Sequence, residues 1–391
     1  MCASGVNCTT DDFSLTVGSA QVGGDVGAFY TPYILDPQDP DEMIVGTCRV
    51  WRGTPTVPAS SFSTLSVDFD TLSPTTCTGE EMNLVSALDA GGPTADFMST
   101  TVYATTEGSG PNAASPTGGE VWVTANAGIV PMVEITGNIN PSNYTISSVA
   151  VDRSDTTGAT AYVGILGFNV SHVFKTANAG ATWTDWSGSG GAVLPDAPVN
   201  ALLVDSSATP HQIYAGTDVG LFVSSTASPG WTEVGTPSQP GATGYLPNVP
   251  VTAIRLFNYG GTKKLRVSTY GRGIWEYALA TAPDYMNAVA NTPQTMYPGQ
   301  TATFNGTLTA QGGYASPVNL SCTGDAPQTS NFNQTQVTPT ASGAPYTLTA
   351  GGAIGDYTFT AHAVGTDPQA ITHDAAVTLH VVEFNISMAG D

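Results

Sequence analysis

The sequence predicts an all-β protein: a ring of about five repeated antiparallel sheets, a β-propeller, followed by a smaller β-sandwich. Three observations carry this prediction. A strand–turn–strand pattern recurs roughly every fifty residues, the period of one propeller blade. The 44 glycines and 27 prolines are spread along the chain rather than pooled, which is the texture of many short strands joined by tight turns. Only 10% of the 391 residues are charged, so the Glu, Lys and Arg that cover exposed helix faces are scarce.

Residues 1–24 form an N-terminal segment with one isolated strand candidate, Phe13-Ser14-Leu15-Thr16-Val17. Residues 25–282 hold the repeats. Each opens with an apolar strand, in four cases ending at an aspartate: Asp36, Asp89, Asp152 and Asp205. A second strand follows, ending Gly-Thr or similar, as in Ile44-Val45-Gly46-Thr47 and Tyr214-Ala215-Gly216-Thr217. A third strand is aromatic, as in Val50-Trp51-Arg52 and Val121-Trp122-Val123. The near-continuous apolar first strand suits the innermost position of a blade, and the alternating later strands suit positions nearer solvent. The fifth repeat stops after its third strand, near Leu279. The strand at 13–17 is expected to supply the missing fourth one and close the ring; otherwise the propeller is truncated.

Thr176-Ala-Asn178-Ala-Gly180-Ala-Thr182-Trp183 resembles the Asp-box (BNR) turn, Ser/Thr-x-Asp/Asn-x-Gly-x-Thr-Trp. Thr124 to Gly128 is a half copy without the Trp, and Ser225 to Trp231 a degenerate copy that keeps it. The repeats thus resemble the Asp-box propellers of sialidases, sortilin-type receptors and xyloglucanases. That resemblance implies a hairpin turn between the third and fourth strands, with Gly at positive φ and Trp packed between blades. It implies fold and not activity, because the motif is a structural turn. Residues 283–391 carry short strands at regular spacing and resemble the bacterial Ig-like repeats attached to secreted enzymes and adhesins, through Pro298-Gly299-Gln300, Val318 to Cys322 and Gly355-Asp356-Tyr357-Thr358-Phe359. In those repeats a second Cys often follows the first; here Cys322 lacks that partner. Phe384-Asn385-Ile386-Ser387 reads as one further, C-terminal strand.

Composition excludes several functions. With 31 acidic residues against 9 basic, net −22, the chain cannot build the basic patch that nucleic acid requires. No apolar run approaches the 18 or so residues of a membrane span. Met1 is followed by Cys2-Ala-Ser-Gly rather than by a basic and then apolar leader, so we expect a mature or trimmed form. Cys48 and Cys77 bracket a long insertion. A disulfide there would contribute about 3–4 kcal/mol by loop closure; the alternative is two separate buried thiols. Cys2, Cys8 and Cys322 are left as unpaired or intermolecular thiols. No cysteine or histidine spacing suggests a metal, and no cofactor motif stands out.

A catalytic constellation is not legible. Sialidase chemistry needs an arginine triad that the spacing of Arg49, Arg52, Arg153, Arg255, Arg266 and Arg272 does not reveal. Glycoside hydrolysis needs two unlike carboxylates, whereas the four repeated aspartates argue by their repetition for turn capping. Arg272, between two glycines, reads as a backbone or carboxylate partner. Sequons stand at Asn7, Asn143, Asn169, Asn305, Asn319, Asn333 and Asn385 and are candidate glycosylation sites. These features predict a secreted or cell-surface, non-catalytic structural or adhesive protein, in its most specific form a glycosylated subunit of an extracellular assembly or filament. Its expected partners are surface glycans or itself, head to tail through terminal strands. The alternative is a secreted glycoside hydrolase of the Asp-box type.

Overall fold

A computed structural model describes residues 17–55, 62–69, 77, 83–95, 97–109, 111, 117–208, 210–235, 245–259, 262–279 and 283–383. Apart from two 3₁₀ turns, Ser19–Val22 and Gly190–Ala192, the described secondary structure is β. The candidate strands at 13–17 and 384–387 lie outside the described residues, apart from Val17. The chain divides into two compact units, the second beginning at Leu279 and taking in the hairpin tip Asn258–Lys263.

The first unit is a succession of antiparallel sheets, as a propeller requires. Sheet one is β1 (Tyr33–Leu35), β2 (Met43–Gly46), β3 (Val50–Gly53) and β4 (Ser63–Thr64). Sheet two is β5 (Val85–Ala95), β6 (Met98–Thr106), β7 (Val121–Thr124) and β8 (Val133–Glu134). Sheet three is β9 (Ile146–Val151), β10 (Ala161–Ile165), β11 (Val173–Thr176) and β12 (Thr184–Asp185). Sheet four is β13 (Val199–Asp205), β14 (Gln212–Thr217), β15 (Gly220–Ser225) and β16 (Thr232–Glu233). Sheet five has three strands, β17 (Val251–Tyr259), β18 (Thr262–Thr269) and β19 (Gly273–Ala278).

Successive sheets bury their faces against each other. Ile44 and Val50 pack with Val85 and Leu88; Tyr103 and Val121 pack with Ile146 and Val149; Tyr162 and Val173 pack with Val199 and Leu202. The glycine near the end of the second strand has a physical reason. A Cβ on Gly46, Gly164 or Gly216 would lie 2.4, 2.7 or 2.5 Å from Val85, Val199 or Val251, the residue that opens the next sheet's first strand. Only a bare Cα lets the next blade come this close. Tyrosines wedge between sheets: the Tyr103 hydroxyl donates to the Gly158 carbonyl at 2.9 Å, and the Tyr162 hydroxyl to the Thr226 carbonyl at 3.3 Å.

Residues 17–31 pack against sheet one. Asp25, buried, accepts from Arg49 at 2.6 Å, Thr47 at 3.0 Å and the Trp51 indole at 3.0 Å. Cys48 and Cys77 form a disulfide across a separation of 29 residues. In sheet five Val251, Ile254, Leu265 and Val267 are buried, whereas Thr252, Arg266, Ile274 and Glu276 are exposed. Among the described residues β19 pairs only with β18.

The second unit is a two-sheet sandwich. One sheet runs β20 (Asp284–Val289), β22 (Ala302–Gln311), β26 (Ala344–Gly351), β24 (Thr329–Phe332). The other runs β21 (Gln294–Met296), β28 (Thr372–Val381), β27 (Gly355–Gly365), β23 (Val318–Gly324), β25 (Gln336–Val337). Both sheets send residues into one core: Phe304 and Leu348 from the first meet Phe359, Val377 and Leu379 from the second. Strict alternation places these inward and the intervening residues toward solvent. The outward row of the second sheet includes Thr358, Thr360, His362, Asp374, Thr378 and His380.

Candidate functional site

The first strands of all five sheets of the propeller unit line one cavity of about 600 Å³. Its walls include Tyr33, Leu35, Leu88, Asp89, Arg153 and Arg255. Of the four repeated aspartates only Asp89 reaches it. Asp36, Asp152 and Asp205 cap turns: their Oδ1 atoms accept from the backbone N–H two residues on, in Gln38, Ser154 and Ser207, at 3.0, 3.0 and 3.1 Å. Asp36 also accepts from Arg52 at 3.0 Å and from the Ser99 hydroxyl at 2.7 Å, tying sheet one to sheet two.

Asp89 differs because β5 does not end there. The strand runs on to Ala95, so no turn N–H follows the carboxylate. It bonds the next sheet instead: Val151 N–H at 2.7 Å, the Arg153 guanidinium, and its own neighbour Ala90 N–H at 2.9 Å. Burial pushes its carboxyl pKa up, against the lowering pull of Arg153. Sequence repetition alone hid this difference. Arg255 stands four residues into β17, as Asp89 stands four residues into β5, and both line the cavity. Arg255 Nη1 donates to its own neighbour, the Ile254 carbonyl, at 2.9 Å.

Arg153 and Arg255 share the cavity with Asp89, but none of the other four arginines joins them as a triad would require. Arg49 pairs with Asp25 and Asp68, Arg52 with Asp36, Arg153 with Asp89 and Arg266 with Glu276. Arg272 sits in the exposed β18–β19 turn between Gly271 and Gly273, both at positive φ. The one described group of three potential metal ligands is Asp25, Cys48 and Cys77; both its sulfurs are consumed by the disulfide, and a disulfide sulfur is no thiolate ligand.

The turn at 176–183 is built from side-chain bonds. The buried Thr176 hydroxyl accepts from Gly180 N–H at 2.8 Å, and Asn178 Oδ1 accepts from Thr182 N–H at 2.9 Å. Gly180 has φ 83°, and a Cβ there would lie 2.2 Å from Ile135. The Trp183 indole donates to the Ile135 carbonyl at 2.8 Å, reaching sheet two from sheet three. In sheet four the Trp231 indole makes the equivalent reach to the Trp186 carbonyl at 2.8 Å. Thr124 holds its own loop through Val130, at 2.7 Å.

Among the sequons, Asn169, Asn305, Asn319 and Asn333 are exposed and Asn143 is half-buried; Asn7 and Asn385 lie outside the described residues. Cys322 is a free, half-buried thiol whose pKa burial raises; Cys2 and Cys8 lie outside the described residues. Among the described residues no helix is long and apolar enough to cross a membrane.

No family model matches the chain, and no curated protein matches it. Among solved structures, it is similar to the GH74 enzyme of Niastella koreensis at 13% identity, covering 78% of this chain and 51% of that one, with TM-score 0.38. It is similar to the major Malassezia sympodialis allergen Mala s 1 at 13% identity, covering 72% and 86%, with TM-score 0.42. A segment covering 31% of this chain and 65% of the other is similar to domains 4 and 5 of the S-layer protein SbsC, at 25% identity and TM-score 0.21. The chain spans about half the length of the Niastella enzyme.

Proposed function

We propose that this is a non-catalytic structural or adhesive protein of the cell exterior, acting as a subunit of an extracellular assembly. The observation that carries this reading is the chemistry of the axial cavity. Among the described residues it presents one carboxylate, Asp89, already committed to Arg153 and two backbone N–H groups. Glycoside hydrolysis needs a second carboxylate about 5–9.5 Å away, and the other repeated aspartates are held in turns. The Cys48–Cys77 disulfide fits an oxidising compartment. A surface with few charges and exposed sequons suits glycan coating and self-association. In this reading the 176–183 turn is an Asp-box and the second unit an Ig-like spacer.

One observation favours a hydrolase instead: a half-buried carboxyl with a raised pKa in a cavity is what a catalytic acid looks like. Release of reducing sugar from a panel of plant and bacterial polysaccharides separates the two. The structural reading expects no release. Turnover that Asp89→Asn abolishes would establish the hydrolase.

A further inference from the structure

The few cations of this protein are concentrated in one place. Arg255, Lys263, Lys264, Arg266 and Arg272 are five of the nine Lys and Arg residues, and all fall within 251–278, where Glu276 is the only acid. Of these five, Lys263 is buried and Arg255 lies in the cavity wall, so the exposed face of sheet five carries Lys264, Arg266 and Arg272, in a chain of net charge −22. Lys264 and Arg266 stand in register beside Ala278 and Glu276 and pair with Glu276 at 2.7 and 2.9 Å. Arg266 also lies over the Phe257 ring, 4.3 Å from its centroid. Arg272 projects from the adjoining turn, and the same face carries exposed apolar surface at Tyr270 (78%) and Ile274 (77%). An exposed face of this kind, cationic with aromatic and aliphatic patches, has the make-up of a protein-docking surface.

The complementary surface is in the same chain. After Leu279 there are seven acidic residues and neither lysine nor arginine. On the outward face of the β27–β28 sheet, Asp356 and Asp374 are exposed, each beside a histidine, His380 and His362, at 2.6 Å.

We propose that the exposed face of sheet five docks the acidic outer face of the sandwich unit in a second copy of this chain, giving a heterologous, head-to-tail contact. Such a contact uses different patches on the two partners, so it repeats from copy to copy, into a ring or an open chain, and does not end at a two-fold dimer. Opposite charge sets its register and rate, and the apolar residues between the charges supply burial. This inference rests on the reading of the protein as an assembly subunit and names the contact that builds it.

The test is light scattering and sedimentation of the full chain across concentration, in about 20 mM and about 500 mM NaCl, where the Debye length falls from roughly 20 Å to 4 Å. Assembly should weaken at high salt. Arg266→Glu with Arg272→Glu, and separately Asp356→Lys with Asp374→Lys, should each raise the half-assembly concentration by about tenfold or more. An equimolar mixture of the two variants should restore assembly, because the reversed face of one then meets the reversed face of the other. Recovery by mixing is an effect that misfolding of either variant would not produce. Assembly indifferent to salt and to both reversals would overturn this contact while leaving the assembly reading standing. Failure of the mixture to recover would also overturn it. Monomers at every concentration and salt would overturn both.

Discussion

At His172 a single side chain sets a pH dependence. The residue is buried; among the described residues its Nδ1 atom has no hydrogen-bond partner, and Asp196 lies 3.4 Å from its Nε2. Burial lowers its pKa, with the carboxylates of Asp196 and Asp185 opposing. The folded chain therefore resists a proton that the unfolded chain accepts below about pH 6.5. Stability is retained above that pH and is lost as the pH falls toward the lowered value. Melting at about pH 7.5 and about pH 5.5 should show a drop that shrinks in His172→Leu; an equal drop in both proteins would contradict this assignment. Gly180 makes a second residue-scale prediction. Its positive φ and its closeness to Ile135 leave no room for a methyl, so Gly180→Ala should cost about 2 kcal/mol or more in denaturant unfolding. The neighbouring Ala179 also has positive φ, 52°, so Ala179→Gly should stabilise by about 0.5–1 kcal/mol. The sequence shows the residues of this turn but not the partner of Trp183, because Ile135 is 48 positions away on another sheet.

Between neighbouring elements, the Gly–Val contact is the repeated joint of the propeller unit. Gly216→Ala should lower stability by about 1–3 kcal/mol, because the added methyl meets Val251 and Ile254 and must displace them; a neutral change in unfolding would show that the joint is slack. The disulfide is the second element-scale device. It anchors the β2–β3 turn at Cys48 to Cys77, beside Val26 N–H, which donates to the Cys77 carbonyl at 3.2 Å. Cys48→Ser with Cys77→Ser should cost about 3–4 kcal/mol by loop closure, read as a melting shift of roughly 5–10 °C. The strand periodicity was readable in the sequence because each blade repeats one burial problem: an apolar inner strand, a close-packed glycine, an aromatic wedge. The individual role of Asp89 was not readable. Its difference comes from β5 continuing to Ala95 and from a bond to the next sheet, and neither leaves a local mark. Asp36, Asp152 and Asp205 bond within two residues of themselves, so their turn-capping role was legible locally.

Over the whole molecule, charge is the organising quantity. The chain carries little of it, places most of its cations on sheet five, and leaves its C-terminal part without any lysine or arginine. A freely diffusing acidic protein is kept apart from its copies by like charge; segregated charge gives those copies a way to meet. The most direct measurement is electron microscopy of the purified full chain over a concentration series at low salt. Ordered assemblies should form, grow with concentration and fall apart at high salt. Monodisperse single particles at every concentration would contradict self-assembly.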